Sequence, residues 1–135
     1  MQYQLDPLAP NGISKVSESV LIQTGGSSSS NTSQPIADIT TDSTTTRTLA
    51  LTDAWDYIRL THATSCDVTV PDNADVAFPT GTQVFIRSAG TGTYTIIEDT
   101  AVTVNPPVGG SLVLAGDVTL IKVATDEWDL VGATV

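Results

Sequence analysis

The sequence contains one cysteine, Cys66, one histidine, His62, and only five lysine and arginine residues. A single cysteine allows neither a disulfide within the chain nor a metal site built from several cysteines. Nucleic acids are bound through basic side chains. Five cations against fifteen acids, a net charge of −10, therefore exclude a nucleic-acid partner and disfavour an anionic membrane surface. The same charge favours solubility or a basic protein partner.

Long apolar runs are also missing. No stretch approaches the roughly 20 apolar residues of a membrane-spanning helix. A secretory signal consists of a basic segment followed by an apolar one, and the sequence shows no such pair. We therefore expect synthesis in a cytosol. Lysine and glutamate are scarce, whereas threonine, valine, serine and aspartate are abundant. This composition favours short strands over long helices and predicts an all-β protein.

Two regions of different character follow one another along the chain. Residues 1–23 contain an alternating Gln2–Leu5, a proline-rich turn and a second apolar segment, Ile13–Gln23, that predicts a strand or, alternatively, a helical turn. Residues 24–33 form a Gly/Ser tract typical of a flexible linker. We therefore predict an N-terminal arm and tether over residues 1–35, followed by a β domain over residues 36–135.

The stretch Asp67–Arg87 shows how that domain is built. Val68 and Val70 alternate with a threonine, which is the period of a half-buried strand. Pro71 ends this strand, and Gln83 begins the next apolar run after a polar loop. Similar segments recur every 8–12 residues or so, which predicts about nine short strands in a small β-sandwich or barrel-like domain. The absence of a strict repeat argues against a solenoid or propeller, and Ala89–Gly92 predicts a hairpin turn.

Few side chains are arranged for chemistry. His62 and Cys66 form the one thiol–base pair that the sequence offers, but nothing resembling an oxyanion turn accompanies them, so we predict no catalytic residues. The alternative is a loop histidine and a packed cysteine.

Two acidic groups are candidates for metal binding. Asp72, Asn73 and Asp75 lack the spacing of a calcium loop and indicate an Asx turn, and the acids of 126–129 indicate a solvated turn. We therefore expect no metal and no cofactor.

Aromatic side chains are the remaining candidates for binding. Trp55, Tyr57 and Trp128 are expected to be core or interface anchors, and we treat them as candidate interface aromatics. The alternative is a platform on which sugar rings stack. In the arm, alternating and apolar side chains are the candidates for binding a partner: Gln2, Tyr3, Leu5, Val16, Val20 and Ile22.

Several segments between residues 40 and 132 carry a likeness to known proteins. These segments are Leu49–Asp53, Tyr57–Arg59, Val68–Pro71, Val76–Val84, Gly90–Gly92, Val102–Asn105, Leu112–Ala115, Leu120–Val123 and Trp128–Gly132. Together they resemble a small β module of bacteriophage virion proteins, which include capsid-surface and fibre-like proteins. The resemblance implies a structural role, brings no catalytic residues, and leaves residues 1–35 outside it.

The resemblance and the arm together lead to a functional hypothesis. We expect a capsid decoration, or cement, protein on the outer surface of the virion, made in the host cytoplasm. Its arm would bind the major capsid protein, in part by strand addition, and stabilise the shell. The β domain would form a homotrimer or another symmetric homo-oligomer. The alternative is a tail-fibre or baseplate component that binds a host surface glycan. An enzyme such as a glycan depolymerase is the least favoured hypothesis, because no pair of carboxylates stands out.

Overall fold

The structure is a computed structural model, and it describes residues 37–135. The predicted arm and tether of residues 1–35 therefore lie outside the described residues. So do all six candidate residues for partner binding in the arm: Gln2, Tyr3, Leu5, Val16, Val20 and Ile22.

The described residues form nine strands and one short 3-10 helix, Leu51–Asp53. The strands are β1 Ile39–Asp42, β2 Thr46–Thr48, β3 Tyr57–Leu60, β4 Ser65–Val70, β5 Gln83–Ser88, β6 Thr93–Glu98, β7 Thr103–Asn105, β8 Leu114–Ala124 and β9 Glu127–Thr134. The prediction of an all-β domain with about nine short strands is therefore confirmed. One strand is not short, because β8 runs over 11 residues.

The strands form two sheets. The larger sheet has six strands in the order β1-β3-β5-β8-β9-β7, and the smaller has three in the order β2-β4-β6. The pairs β1–β3, β3–β5, β2–β4 and β4–β6 are all parallel. The first six strands thus alternate between the sheets, so this part of the chain winds in successive coils like a β-solenoid. Exact repetition is not needed for such winding. Ile39 pairs with Tyr57 and Tyr57 with Phe85, so one coil takes 18 residues and the next takes 28.

Corners between the sheets stack on one another through backbone hydrogen bonds. Thr61 N donates to the carbonyl of Asp42 over 2.8 Å, and Gly92 N donates to the carbonyl of His62 over 3.1 Å. The prediction of a hairpin at Ala89–Gly92 is wrong, because β5 and β6 belong to different sheets and do not pair. The glycine is required by packing instead. A Cβ at Gly92 would lie 2.6 Å from the His62 carbonyl oxygen.

The winding is closed on one side by antiparallel structure. β8 pairs antiparallel with both β5 and β9, and β7 then pairs in parallel with β9. On the smaller sheet, Ile96 N donates to the carbonyl of Leu112 over 2.8 Å, so the segment before β8 covers β6. On the other side, β1 and β2 each pair with a single strand among the described residues. At one end the edge of the smaller sheet is therefore covered and the larger sheet stops at the three-residue strand β7, whereas the other end presents the edges of β1 and β2.

A single apolar core lies between the sheets. Alternate side chains of β3, β5, β8 and β9 meet those of β4 and β6, which is the period that the sequence predicts. Its largest fully buried side chains include Trp128, Tyr94, Leu49, Ile58 and Leu120. About eighteen apolar side chains are removed from water in this core. Their burial is the principal stabilising contribution to the domain.

Candidate interaction surface

The outer face of the six-stranded sheet carries a line of side chains that crosses five strands. Pairing places Ile39 beside Tyr57, Tyr57 beside Phe85, Phe85 beside Thr119, and Thr119 beside Val131. On each strand the neighbours of these residues in the sequence alternate with them, so all five side chains point away from the core. We call this line the apolar row. Ile39 is 72% exposed and Val131 is 52% exposed.

A groove lies within the apolar row. It has a volume of about 280 Å³, and Tyr57, Phe85, Thr119 and Val131 all line it. Gly132 also lines it, at a φ of 131°, where a Cβ would come within 2.8 Å of the Val118 Cα. A residue with a side chain is therefore disfavoured at this position, and the backbone of β9 can lie close to β8 beside the groove.

Two arginines flank the apolar row. Arg59 and Arg87 are direct partners on β3 and β5, each two residues beyond a member of the row and on the same face. Arg87 Nη1 forms an ion pair of 2.7 Å with Asp117 Oδ2, and both side chains are about half exposed. Arg59 Nη1 donates to the Thr41 hydroxyl over 3.3 Å. Within residues 37–135, no carboxylate lies within 4.0 Å of Arg59.

The other arginine of the described residues, Arg47, forms a partly buried network at the open end of the stack. Its Nη1 donates to Asp42 Oδ2 over 2.7 Å, and its Nη2 donates to Asp53 Oδ1 over 2.5 Å. Asp53 Oδ2 also accepts the backbone N–H of Ala50 over 2.8 Å. β1, β2 and the 3-10 helix are thereby joined through one guanidinium group.

Ionisation in this region follows from burial and from these partners. Burial alone would raise the pKa of Asp42, but hydrogen bonds from Thr44 and Arg47 outweigh it and lower the pKa. For Asp56 the balance is reversed, because a hydrogen bond from Thr40 and the charge of Arg47 lower its pKa by less than burial and neighbouring carboxylates raise it. Its pKa is raised, first by burial and then by the negative charges of Asp38 and Asp53.

A lysine occupies the far end of the core. Lys122 is 3% exposed, its Nζ donates to Asn73 Oδ1 over 2.6 Å, and it lies 5.8 Å from the centre of the Trp128 ring. Asn73 N in turn donates to Asp126 Oδ1 over 2.5 Å. The loop between β4 and β5 is therefore fixed to the β8–β9 hairpin by polar contacts, and Lys122 has a structural role there.

The acidic residues of this loop form the turn that the sequence indicates. Asp72 Oδ1 accepts the backbone N–H groups of Ala74 and Asp75 over 3.0 and 2.9 Å, which is an Asx turn. One carboxylate oxygen from each of Asp72, Asp75 and Asp99 lies within 4.8 Å of the others. Exposed acidic groups often gather in this way without an ion, and the Asx turn already explains the position of Asp72.

The three candidate aromatic residues differ in how far the structure exposes them. Tyr57 lies in the apolar row and lines the groove, so an interface role stays a prediction for it. Trp55 is half-buried and has a φ of 69° at the turn that leads into β3. Trp128 takes the other alternative, that of a core anchor. Its ring is 1% exposed and packs edge-to-face on Phe78 at 5.3 Å, so it belongs to the core.

His62 and Cys66 also occupy different environments. His62 lies in a corner, where its Nδ1 is 3.2 Å from the backbone nitrogen of Thr64. Cys66 is buried in the core, and burial, followed by the charges of Asp42 and Asp67, raises the pKa of its thiol. A raised pKa keeps the thiol protonated and poorly nucleophilic.

Phe85 and Arg59 are among the surface residues that the sequence alone does not single out. Each can be assigned to the outer face from the period of its strand alone. Their alignment with Ile39 and Val131, however, depends on pairing between strands that are far apart in the sequence.

Comparisons with known proteins add no relative. No protein-family model matches the chain, and neither a curated protein nor a solved structure shows a significant match. Among the residues that the structure describes, no helix has the length and apolar character needed to cross a membrane.

Proposed function

We propose that this chain is a structural, non-enzymatic protein of a bacteriophage particle, and that it decorates the capsid. In this proposal the arm of residues 1–35 binds the shell, and the β domain covers its outer surface as part of a symmetric homo-oligomer. The segments within residues 40–132 that resemble virion modules support the assignment to a phage particle. The described structure supports it by offering a surface suited to binding another protein.

The apolar row is the observation that carries this proposal. It combines two strongly exposed aliphatic side chains, Ile39 and Val131, with the partly exposed rings of Tyr57 and Phe85. Exposed apolar patches that are rimmed by polar residues are a common mark of protein interaction sites. Aromatic residues at the centre and a polar rim are the usual composition of a protein–protein interface.

The open strand edges offer a second type of contact. β1 and β2 have a partner on one side only among the described residues, so the backbone groups of their other sides can accept a further strand. Strand addition would supply hydrogen bonds in register, while the apolar row would supply apolar burial. Both features occur on or beside β1, where Ile39 begins the row.

The alternative of a glycan-binding tail component depends on the aromatic side chains. Tyr57 is still accessible beside the groove, and Trp55 is half-buried, but the buried Trp128 is removed from any sugar platform. A glycan array separates this alternative from the capsid proposal.

Shells assembled without the protein provide the direct test. The purified chain should sediment with them at a fixed stoichiometry and raise their melting temperature. The variant Val131→Gln should weaken this binding, whereas Ile97→Gln, which changes an exposed aliphatic residue on the smaller sheet, should not. Deleting residues 1–23 should abolish attachment while the β domain stays folded. Absence of shell binding together with a glycan-array signal would overturn the proposal in favour of the tail component.

A further inference from the structure

The groove in the apolar row indicates what its partner must present. We propose that it receives one ring-sized apolar side chain of a partner protein, and that Arg59 pairs with a carboxylate close to that side chain. The inference depends on the proposed function only for the class of partner, a protein. The chemistry of the ligand is argued from the groove and its flanking charges.

The dimensions of the groove limit its occupant. The volume of about 280 Å³ lies at the lower end of the range for small-molecule sites, and the groove is open to solvent. It has room for one large side chain or one ring. Tyr57 and Phe85 are adjacent on paired strands, and their rings provide an aromatic wall. Protein interfaces commonly place one aromatic anchor in such a pocket, and that anchor contributes much of the binding energy.

The charge of the occupant follows from Arg59. From residue 36 onward the chain has thirteen acids and four bases, so exposed positive charge is scarce. Two of the four bases, Arg47 and Lys122, are engaged in the polar contacts described above. Arg87 is paired with Asp117, whereas within residues 37–135 the side chain of Arg59 has a hydrogen bond to the Thr41 hydroxyl and no carboxylate partner. Because Arg59 lies two residues from Tyr57 on the same face, a carboxylate about 7 Å from the anchor can reach it.

The lining favours a protein side chain over a saccharide. Sugars bind through several hydrogen bonds to their hydroxyl groups as well as through ring stacking. Here the polar side chains of the lining are Tyr57, Thr119, Arg87 and Asp117, and the last two are already bonded to each other. An apolar anchor with one nearby acid satisfies the site without breaking that pair.

Small synthetic probes test this chemistry on the whole chain of 135 residues. The ligands are the dipeptide N-acetyl-phenylalanyl-aspartyl amide, its asparagine and lysine counterparts, and methyl glucuronide, titrated into ¹⁵N-labelled protein. The aspartyl probe should shift the amide signals of Tyr57, Phe85 and Val131 with a Kd of about 1 mM. The asparagine probe should bind about two- to fivefold more weakly, and the lysine probe more weakly still.

Variants assign the effect to the named residues. In Arg59→Gln the aspartyl and asparagine probes should bind equally, whereas Arg59→Lys should retain part of the difference. Ile97→Gln should leave every titration unchanged. Equal binding of all three dipeptides to the wild type, or shifts elsewhere on the surface, would overturn the proposal. Tighter binding of methyl glucuronide would replace it with an acidic saccharide. Shell binding without any dipeptide binding would leave the proposed function intact and refute this inference alone.

Discussion

Replacing Arg47 by methionine should destabilise the domain at neutral pH. The side chain of Arg47 is 19% exposed, and the partner side chains of Asp42 and Asp53 are 9% and 4% exposed. Methionine keeps the apolar stem but leaves two poorly solvated carboxylates without their cation. Removing one member of a buried ion pair costs about 3 kcal/mol or more.

One term opposes this cost. Arg47 Nε is buried without a hydrogen-bond partner, and replacing it removes an unsatisfied donor that costs about 1 kcal/mol. The net loss in the free energy of unfolding should therefore be about 2 kcal/mol. In a domain of this size, that corresponds to a decrease of about 10 °C in Tm.

Urea denaturation at pH 7 measures this difference, and Arg87→Met is the matched control. The pair Arg87–Asp117 has a similar distance, 2.7 Å, but is about half exposed, so its loss should cost less than about 1 kcal/mol. Adding Asp53→Asn to Arg47→Met should restore part of the loss. Equal costs for Arg47→Met and Arg87→Met, or no recovery in the double variant, would refute the reasoning.

The pH dependence gives a further check on the same network. The pKa of Asp42 is lower in the folded protein than its ordinary value, so its contribution to stability is present above that ordinary value. The contribution is lost as the pH falls through the lowered folded pKa. Because Arg47 supplies one of the hydrogen bonds that lower this pKa, the difference between wild type and Arg47→Met should shrink below about pH 4.

Three further changes test other parts of the fold. Asn73→Ala leaves the buried Lys122 ammonium without its acceptor and should cost about 1–3 kcal/mol in urea denaturation, more than Lys122→Met, which removes the ammonium itself. Gly92→Ala places a Cβ against the backbone of the preceding corner and should lower Tm strongly, whereas Thr91→Ala in the same corner should not. The pKa of Asp56 is raised, so its ionisation opposes folding as the pH rises. Asp56→Asn should therefore gain stability relative to wild type as the pH rises above about 4, and an equal pH profile for both proteins would contradict this.

The strands of this domain could be predicted because their signal is local. Alternation in Gln83–Ser88 identifies β5 with its observed bounds, and Pro71 marks the end of β4 one residue after Val70. Pairing could not be predicted, because the period of a strand defines its faces but not its neighbours. The hairpin expected at Ala89–Gly92 illustrates this limit. A short Gly-rich turn is equally suited to a reversal within one sheet and to a corner between two.

The candidate surface shows the same limit: the pattern of one strand identifies its outward side chains, but not the strands beside it. The sequence identifies Tyr57 and Trp128 alike as core or interface anchors. Tyr57 lies in the apolar row, whereas Trp128 is buried, because its strand directs it towards Phe78 in the core. The row itself becomes visible only when residues from β1 to β9 are brought into register. Arg59 gains its significance in the same way, from the absence of a carboxylate beside it in the folded domain.

The unequal ends of the coil stack have a consequence for engineering. The β8–β9 hairpin and the short strand β7 terminate one end, whereas the backbone edges of β1 and β2 leave the other end extendable within the described residues. Corners already stack between coils of two different lengths. Duplicating the segment from Tyr57 to Val84 should therefore lengthen the stack by one coil without disturbing the β8–β9 hairpin. A series of variants with increasing numbers of duplicated coils would give domains of increasing length, each with the same groove beside the β8–β9 hairpin.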